Sequence, residues 1–226
     1  MLEIRDLGVG YPGGRPVLWD LNLDLRSGET VALTGQSGSG KSTVAHSILQ
    51  VLPKDCMQRG SIRFEGIELM GQNEKTLRPL RGKRIAAVSQ QPAIALHPLI
   101  PVGRQIEDVL RAHSLYTPQS RGTVIELLSR LGLDQSCFGR YAHELSGGQL
   151  QRAAIVQALI CEPQLLIADE PFAALDTVTR SEVCELLRSI KNFPLTLLLI
   201  SHDVLAVSTL ADRVMVLRDG QVKVAL

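Results

Sequence analysis

The sequence predicts an α/β fold with a parallel β-sheet, an N-terminal antiparallel β lobe and an inserted helical lobe. Three observations carry this prediction. Short strands with alternating apolar residues occupy the first 25 residues, and apolar runs that end in polar side chains recur at 30–34, 85–88, 165–170 and 195–203. Helices punctuated by proline fill the segment from about residue 93 to 160. Strands that alternate with helices are typical of a parallel sheet.

Length and composition limit the possible partners and compartment. The 226 residues suffice for one large domain or two small ones, and 24 basic against 23 acidic residues leave a net charge of +1. Bulk charge therefore indicates no nucleic-acid partner. Four scattered cysteines, without a C-x-x-C pair or a secretory leader, predict reduced thiols in the cytosol. The longest apolar run, 195–200, is too short to span a bilayer, so we expect a protein that is soluble by itself.

Two strands are predicted at the amino terminus, over 2–7 and 17–25, with the Tyr11-Pro12-Gly13-Gly14 turn between them. Tyr11 is of interest because an aromatic ring shortly before a phosphate-binding loop can stack on adenine. The plainer alternative is a tyrosine that packs its ring and leaves its hydroxyl in water, and spacing alone favours this alternative.

A glycine-rich loop follows the apolar run 30–34 and opens a helix predicted over 41–52; it reads Gly35-Gln36-Ser37-Gly38-Ser39-Gly40-Lys41-Ser42. This is the G-x-x-x-x-G-K-S/T pattern in its strand, loop and helix context. The glycines let successive backbone N–H groups face an anion, and Lys41 reaches the outer phosphates. Ser42 is suited to ligate Mg²⁺ through its hydroxyl. A glycine-serine linker would not lead at once into a lysine and a strongly helical run, so a nucleotide is the expected ligand.

The segment after this helix contains a hairpin, a charged run and another buried strand. The hairpin is predicted over 60–69 about a Glu65-Gly66 turn, and the basic run 73–84 is interpreted as a solvated loop. Strand 85–88 then leads to Gln90, whose side-chain oxygen is suited to a metal or an attacking water. A polar residue that merely ends a strand is the alternative for Gln90.

The inserted helical lobe includes a helix over 123–131 with a Thr123/Glu126 capping box. A second candidate anion site follows it, where Leu-Ser-Gly-Gly-Gln-Leu-Gln-Arg starts a helix with Ser146 as N-cap and Gly147 and Gly148 behind it. The lobe separates the two anion-binding helix starts along the chain. Two copies that share nucleotides head to tail are therefore the simpler geometry.

Two carboxylates end the next apolar strand, in Leu165-Leu166-Ile167-Ala168-Asp169-Glu170. Strand alternation is expected to send Asp169 and Glu170 to different sides, with different tasks. Asp169 suits a Mg²⁺ shell, and Glu170 suits the activation of a water in line with a γ-phosphate. A helix cap is the minor alternative. Asp176 then precedes a helix that we expect to be capped by Thr179 and Glu182.

His202 follows the strand over 195–200, and a last hairpin is predicted over 213–224 about Asp219-Gly220. A lone histidine is more often structural than catalytic. Its place at the end of a strand, like Gln90 and Asp169, reverses that preference because the carboxyl ends of parallel strands bind ligands.

The ordered set of these motifs resembles the ATP-binding cassette (ABC) ATPases over nearly the whole chain: GQSGSGKS, Gln90, LSGGQ, LLIADE, Ala174-Leu175-Asp176 and His202. The resemblance implies one ABC ATPase domain over 1–226, with the helical lobe at approximately 93–160. It also implies ATP and Mg²⁺ as cofactors.

Roles carried over by position from this resemblance fall into two groups. The ATP-binding group comprises Tyr11 as the adenine-stacking ring, the phosphate loop Gly35, Gln36, Ser37, Gly38, Ser39, Gly40, Lys41, Ser42 and Thr43, the signature Ser146, Gly147, Gly148 and Gln149 that closes on ATP of the other subunit, and Asp176 in the loop crossing that interface. The metal and catalytic group comprises Ser42, Asp169 and Gln90 around Mg²⁺, with Glu170 as base, His202 as γ-phosphate switch, Lys41 on the phosphates and Gln90 sensing the membrane partner.

Within the family, the chain is similar to ATPases of dipeptide, oligopeptide and nickel importers, on Gln90-Gln91-Pro92, Leu96-His97-Pro98, Val102-Gly103 and His143-Glu144. This resemblance implies a second ABC ATPase subunit in a homo- or heterodimer, integral membrane permease subunits and an extracytoplasmic substrate-binding protein. The expected location is peripheral, at the cytoplasmic face of the cell membrane. A non-transport ABC ATPase that regulates a membrane or cell-wall complex is the alternative.

Overall fold

Alternating apolar residues near the amino terminus build an antiparallel sheet. In the computed structural model, which describes residues 1–172, 175–190 and 195–224, this sheet has the strand order β2-β1-β4-β5. Its strands are β1 (Leu2–Gly10), β2 (Pro16–Leu25), β4 (Met57–Phe64) and β5 (Ile67–Glu68). The predicted hairpin about Glu65 and Gly66 is confirmed, since β4 and β5 pair antiparallel on either side of these residues.

The longer apolar runs form a second, mostly parallel sheet of order β10-β9-β3-β8-β7-β6. Among the described strands of this sheet, β9 and β10 are the one antiparallel pair. The strands of this second sheet are β3 (Thr30–Thr34), β6 (Ile85–Val88), β7 (Leu165–Asp169), β8 (Thr196–Ile200), β9 (Arg213–Arg218) and β10 (Gln221–Val224). The predicted α/β class, parallel core and N-terminal β lobe are therefore confirmed, as is the last hairpin.

Both faces of the parallel sheet are covered, which explains why its strands are apolar along their whole length. Along β7, Leu165 and Ile167 pack into one core with the antiparallel sheet, whereas Leu166 and Ala168 pack into the other core with the helices between β6 and β7. Strands buried on two sides leave only their ends for polar side chains. The loops that follow β3, β6, β7 and β8 consequently bring their polar residues to one edge.

Helices flank the parallel sheet and fill the chain between β6 and β7, where the helical lobe is predicted. They are α1 (Lys41–Leu49), α2 (Glu74–Leu77), α3 (Pro92–Ala95), α4 (Val102–Ala112), α5 (Ser120–Arg130), α6 (Gly147–Leu159), α7 (Thr177–Ile190) and α8 (Val204–Leu210). Helix α1 stops three residues before the predicted end at Leu52 because Gln50 adopts the left-handed conformation, with φ of +53°. Within the described ranges, no helix combines the length and apolar character needed to cross a bilayer.

The charged run 73–84 is not the solvated loop that its composition suggested. Asn73 caps the short helix α2, and Leu77 and Leu80 are buried. Arg81 donates hydrogen bonds of 2.6 and 2.7 Å to the carbonyl oxygens of Leu49 and Gln50. The run therefore packs against the carboxyl end of α1, and Arg81 stabilises that end through contacts about 30 residues away in sequence.

The predicted capping box of α5 is wrong, because the helix begins one turn earlier. It starts at Ser120, and Thr123 lies inside it. The hydroxyl of Ser120 accepts a hydrogen bond of 2.8 Å from the backbone N–H of Thr117. A local turn at Thr117 thus starts the helix, and the Thr123/Glu126 spacing does not mark the amino terminus of α5.

Candidate functional site

A cavity of about 560 Å³ lies at the carboxyl edge of the parallel sheet. It joins the glycine-rich loop to residues from the ends of three other strands and from the antiparallel sheet. Its lining consists of Tyr11, Val17, Gly35, Gln36, Ser37, Gly38, Gly40, Lys41, Ser42, Thr43, Gln90, Asp169, Glu170 and His202. The structure therefore brings together the predicted phosphate loop and the predicted metal and catalytic side chains, which are up to 167 residues apart in sequence (from 35 to 202).

The loop owes its shape to glycines in positions that exclude a side chain. Gly35 has φ of +149°, and a Cβ on it would lie 2.3 Å from the carbonyl oxygen of Leu217 on β9. Gly40 has φ of +103°, and its Cβ would lie 2.8 Å from a methyl carbon of Leu18 on β2. The loop is thus wedged between the two sheets. Ser39, also predicted to bind nucleotide, is not among the lining residues, and its buried hydroxyl has no hydrogen-bond partner among the described residues.

Lys41 is 9% exposed and points back over the loop. Its ammonium donates hydrogen bonds of 2.9 Å to the carbonyl oxygens of both Gly35 and Gln36. Helix α1 begins at this residue, and its N-cap Gly40 offers no side chain to the first N–H groups. Those N–H groups, the helix dipole and Lys41 together form a cationic cradle, which fits the phosphates of a nucleotide.

Asp169, Ser42 and Gln90 present oxygen atoms to the same cavity. Burial raises the pKa of Asp169, while a hydrogen bond from the Ser42 hydroxyl opposes that rise and the nearby Glu170 adds to it. A carboxylate that is costly to ionise, next to hydroxyl and amide oxygens, suits a hard divalent cation that restores its charged form. The three side chains therefore fit Mg²⁺.

Glu170 does not continue the strand alternation, and the prediction that Asp169 and Glu170 face different sides is wrong. Strand β7 ends at Asp169, and Glu170 adopts φ of +47°, so that both carboxylates line one cavity. Glu170 Oε1 lies 2.7 Å from Nδ1 of His202, and Oε2 accepts a hydrogen bond of 3.4 Å from Ser201. The two acids still have different surroundings: Ser42 neighbours Asp169, and His202 neighbours Glu170.

Tyr11 joins the cavity from the turn between β1 and β2. Its hydroxyl is 3.3 Å from the hydroxyl of Thr43, at the start of α1. The ring therefore stands beside the phosphate loop with its hydroxyl already engaged, which leaves its aromatic face as the part that can meet a base.

The second predicted anion site lies outside this cavity. Ser146 is the N-cap of α6: its hydroxyl accepts a hydrogen bond from Gln149 N–H, and the Gln149 side chain accepts one from Ser146 N–H, at 3.3 and 3.0 Å. Ser146 and Gly147 are exposed to solvent. The structure therefore does not bring the LSGGQ helix start and the phosphate loop together within one chain.

Gly148 and Asp176 are connected through Thr179. Asp176 is the cap of α7, because its carboxylate accepts hydrogen bonds from the N–H groups of Val178 and Thr179 and from the Thr179 hydroxyl, and these bonds lower its pKa. The predicted Thr179/Glu182 cap is wrong, since Glu182 instead pairs with Arg152 of α6 at 2.8 Å. A Cβ on Gly148 would lie 2.5 Å from the methyl carbon of Thr179. Ala174, quoted with Asp176 in the sequence motif, lies outside the described residues.

Sequence reasoning missed three residues around the site. Val17 lines the cavity, Ser201 holds Glu170, and Arg180 lines an adjoining cavity. A signal existed for Arg180 alone. It occupies the first turn of α7, where the helix dipole disfavours a cation, so its position needs an acidic partner.

Comparisons with known proteins agree with this geometry. The ABC transporter family model matches residues 18–173. The chain is 39% identical over 230 residues to the uncharacterized ABC transporter ATP-binding protein YejF of Escherichia coli, covering 98% of the chain and 44% of that protein. It is 36% identical to the oligopeptide transport ATP-binding protein OppD of Bacillus subtilis, and the match covers 98% of the chain and 64% of OppD. It is 39% identical to the metal-staphylopine import system ATP-binding protein CntD of Staphylococcus aureus, and that match covers 92% of the chain and 78% of CntD. The chain thus spans less than two thirds of the length of YejF and OppD.

Solved structures share the fold. The dimeric post-hydrolysis state of the ATP-binding cassette MJ0796, bound to ADP and Pi, superposes with a TM-score of 0.87 at 27% identity and covers 99% of this chain and 97% of that chain. The cbiO1 protein of Clostridium perfringens, part of the ABC transporter complex cbiONQ, gives a TM-score of 0.82 at 29% identity, with 99% and 86% covered.

The contact between Gly148 and Thr179 generates a stability prediction. Gly148→Ala should lower the free energy of unfolding by about 1–3 kcal/mol, because the new methyl group overlaps that of Thr179. Adding Thr179→Ser, which removes only the opposing methyl group and keeps the hydroxyl on Asp176, should restore most of the loss. Chemical denaturation measures both.

Gly122→Ala is the matched control, because this helical glycine of α5 has open space where a Cβ would stand. Alanine should be neutral or stabilising there. An equal loss of stability in Gly148→Ala with and without Thr179→Ser would contradict the proposed overlap.

Proposed function

The chain belongs to the ABC transporter family, and from that premise we propose that it is the ATP-hydrolysing, nucleotide-binding subunit of an ABC importer. It energises the transport of peptides or of nickel and other metal complexes through a separate membrane permease. The observation that carries this proposal is the cavity that joins the phosphate loop to Asp169, Glu170 and His202. Residues 1–226 act as one ABC ATPase domain, with the helical lobe at approximately 93–160.

ATP binding uses the cationic cradle. The backbone N–H groups of the loop and of the first turn of α1 bind the phosphates, and Lys41 turns from the carbonyls of Gly35 and Gln36 towards the outer phosphates. Tyr11 stacks on the adenine. Ser42, Asp169 and Gln90 hold Mg²⁺, which neutralises charge on the outer phosphates when it is bound.

Hydrolysis depends on Glu170 as general base. Its carboxylate is held from two sides by Ser201 and His202, is mostly buried and faces the cavity. It takes the proton of the water that attacks the γ-phosphorus, and the bond from that phosphorus to the β–γ bridging oxygen breaks. Lys41 and the loop N–H groups stabilise the charge that moves onto the leaving ADP. The His202 side chain is 73% exposed, and its Nδ1 lies 2.7 Å from Oε1 of Glu170. His202 therefore links the position of the γ-phosphate to the general base.

A second cassette completes the site. Ser146, Gly147, Gly148 and Gln149 form a helix start away from the cavity, of which Ser146 and Gly147 are exposed, and Asp176 also lies outside the cavity. In a head-to-tail dimer with another copy or with a related subunit, these residues close on ATP held by the partner. The dimeric MJ0796 cassette, bound to ADP and Pi, supports this proposal. ATP binding energy then shifts the dimer, and hydrolysis resets it.

The transport assignment rests on the relatives. OppD and CntD are named as subunits of oligopeptide transport and metal-staphylopine import systems, and cbiO1 is part of a transporter complex. By analogy the chain acts at the cytoplasmic face of the cell membrane, with integral permease subunits and an extracytoplasmic substrate-binding protein as partners. These names favour transport over the regulation of a membrane or cell-wall complex.

Replacement of the general base tests the enzymatic part. Glu170→Gln removes the proton acceptor but keeps the size of the side chain, so ATP turnover should fall by at least about 100-fold while an ATP-bound dimer accumulates. Steady-state hydrolysis and size-exclusion chromatography with ATP measure the two effects. Glu185→Gln, on the exposed face of α7, is the control and should behave as wild type. Normal hydrolysis by Glu170→Gln would exclude Glu170 as base.

Copurification tests the transport part. A tagged chain expressed at its native level should bring down an integral membrane protein with a translocation pathway, together with an extracytoplasmic binding protein. Mass spectrometry of the detergent-solubilised complex identifies the partners. A membrane partner without a translocation pathway would instead favour the regulatory alternative.

A further inference from the structure

A second cavity of about 400 Å³ adjoins the catalytic one and shares Glu170 and His202 with it. Its remaining lining is Phe172, Arg180, Ser201, Asp203, Val204 and Leu205. The shared residues form the wall between the two cavities. Side chains in the second cavity can therefore set the position of the general base from behind, without contact with the nucleotide.

Arg180 is the cation of this second cavity, and it joins two segments of the chain. One guanidinium nitrogen lies 2.8 Å from Oδ2 of Asp203, and another donates a hydrogen bond of 3.1 Å to the carbonyl oxygen of Leu175. Both charged side chains are partly buried, with 33% of Arg180 and 13% of Asp203 exposed. A partly buried pair of this kind holds its geometry better than a surface ion pair.

Asp203 connects Arg180 to Ser201, which contacts the general base. Its Oδ1 accepts a hydrogen bond of 3.0 Å from Ala206 N–H and so caps α8, while its own N–H donates one of 3.1 Å to the Ser201 hydroxyl. That hydroxyl reaches Oε2 of Glu170 at 3.4 Å. Arg180, Asp203, Ser201 and Glu170 thus form one continuous chain of polar contacts.

The other arm of Arg180 holds the segment that leads into α7. Leu175 directly precedes Asp176, the N-cap of that helix, and Asp176 is exposed. One guanidinium therefore fixes the distance between the loop carrying Asp176 and the segment Ser201–Asp203. It does so from the first turn of α7, a place that the helix dipole makes unfavourable for a cation.

We propose that Arg180 is a positioning residue for hydrolysis, which couples the Leu175–Asp176 loop, with Leu175 buried and Asp176 exposed, to the placement of Glu170. The inference rests on the proposed function, in which this loop meets the second cassette. A partner that docks on the loop then adjusts the general base through Arg180, Asp203 and Ser201. Arg180 contacts neither the phosphate loop nor its cradle in the structure, so its loss should affect turnover and leave ATP binding intact.

The test compares Arg180→Gln, Asp203→Asn and the double variant in steady-state hydrolysis with the full chain and its copurified partners. Asparagine retains the cap of α8 but removes the charge that pairs with Arg180. Each single variant should lower kcat about tenfold or more, with KM for ATP and the affinity for a fluorescent ATP analogue changed less than about twofold. The double variant should lose no more kcat than the single ones, because both remove the same link.

Arg188→Gln is the matched control, since Arg188 lies exposed on the same helix, and it should retain wild-type kcat. If Arg180→Gln does not fold, Arg180→Lys answers the question: one ammonium keeps the ion pair with Asp203 but cannot also bond Leu175, so kcat should still fall. Wild-type kcat in a folded Arg180 variant, or additive losses in the double variant, would overturn the inference. A wild-type chain that hydrolyses no ATP with its partners would overturn the proposed function as well, which distinguishes the two failures.

Discussion

The hydrogen bonds from the Lys41 ammonium to the phosphate loop are the interaction on which the rest of the site depends. A lysine that is only 9% exposed needs acceptors for its ammonium, and the carbonyl oxygens of Gly35 and Gln36 supply them. Gly35 can lie this close to β9, beside these carbonyls, because it has no side chain. The cradle is therefore formed before a nucleotide arrives, and its N–H groups need little rearrangement to receive phosphates.

The parallel sheet supplies the rest of the cavity, and this part was predictable from the sequence. Apolar runs without polar interruptions predict strands buried on both faces, and such strands carry polar residues only at their ends. Gln90, Asp169 and His202 each follow such a run, so their convergence follows from the topology. The fold class, the β lobe and the helix start at Ser146 follow from equally local patterns.

Several errors of prediction share a cause, which is that the deciding partner lies far away in sequence; the start of α5 is an exception, because a local turn at Thr117 sets it. The sequence predicts a solvated Arg81, but its side chain bonds the carbonyl oxygens of Leu49 and Gln50. Arg180 was missed because its partner, Asp203, lies 23 residues later. Glu170 departs from strand alternation because its N–H still pairs with Ile200 while its own φ is positive. Composition and period cannot report such contacts, because they describe neighbours along the chain only.

The first turn of α7 emerges as the junction between the two halves of the proposed composite site. Thr179 packs against Gly148 of the LSGGQ helix start, Asp176 caps the helix, and Arg180 pairs with Asp203. Within one chain, polar contacts therefore connect the surface that we propose for a second cassette to Glu170, the proposed general base. On the proposed function, a chain with a complete phosphate cradle is therefore expected to depend on a partner to hydrolyse what it binds.

The most direct measurement of that claim follows ATP hydrolysis per chain and molar mass in the same samples over a wide range of protein concentration. We expect hydrolysis to rise in proportion to the dimeric fraction, while nucleotide binding per chain is already complete in the monomer. Full hydrolysis per chain at concentrations where the protein is monomeric would contradict the account.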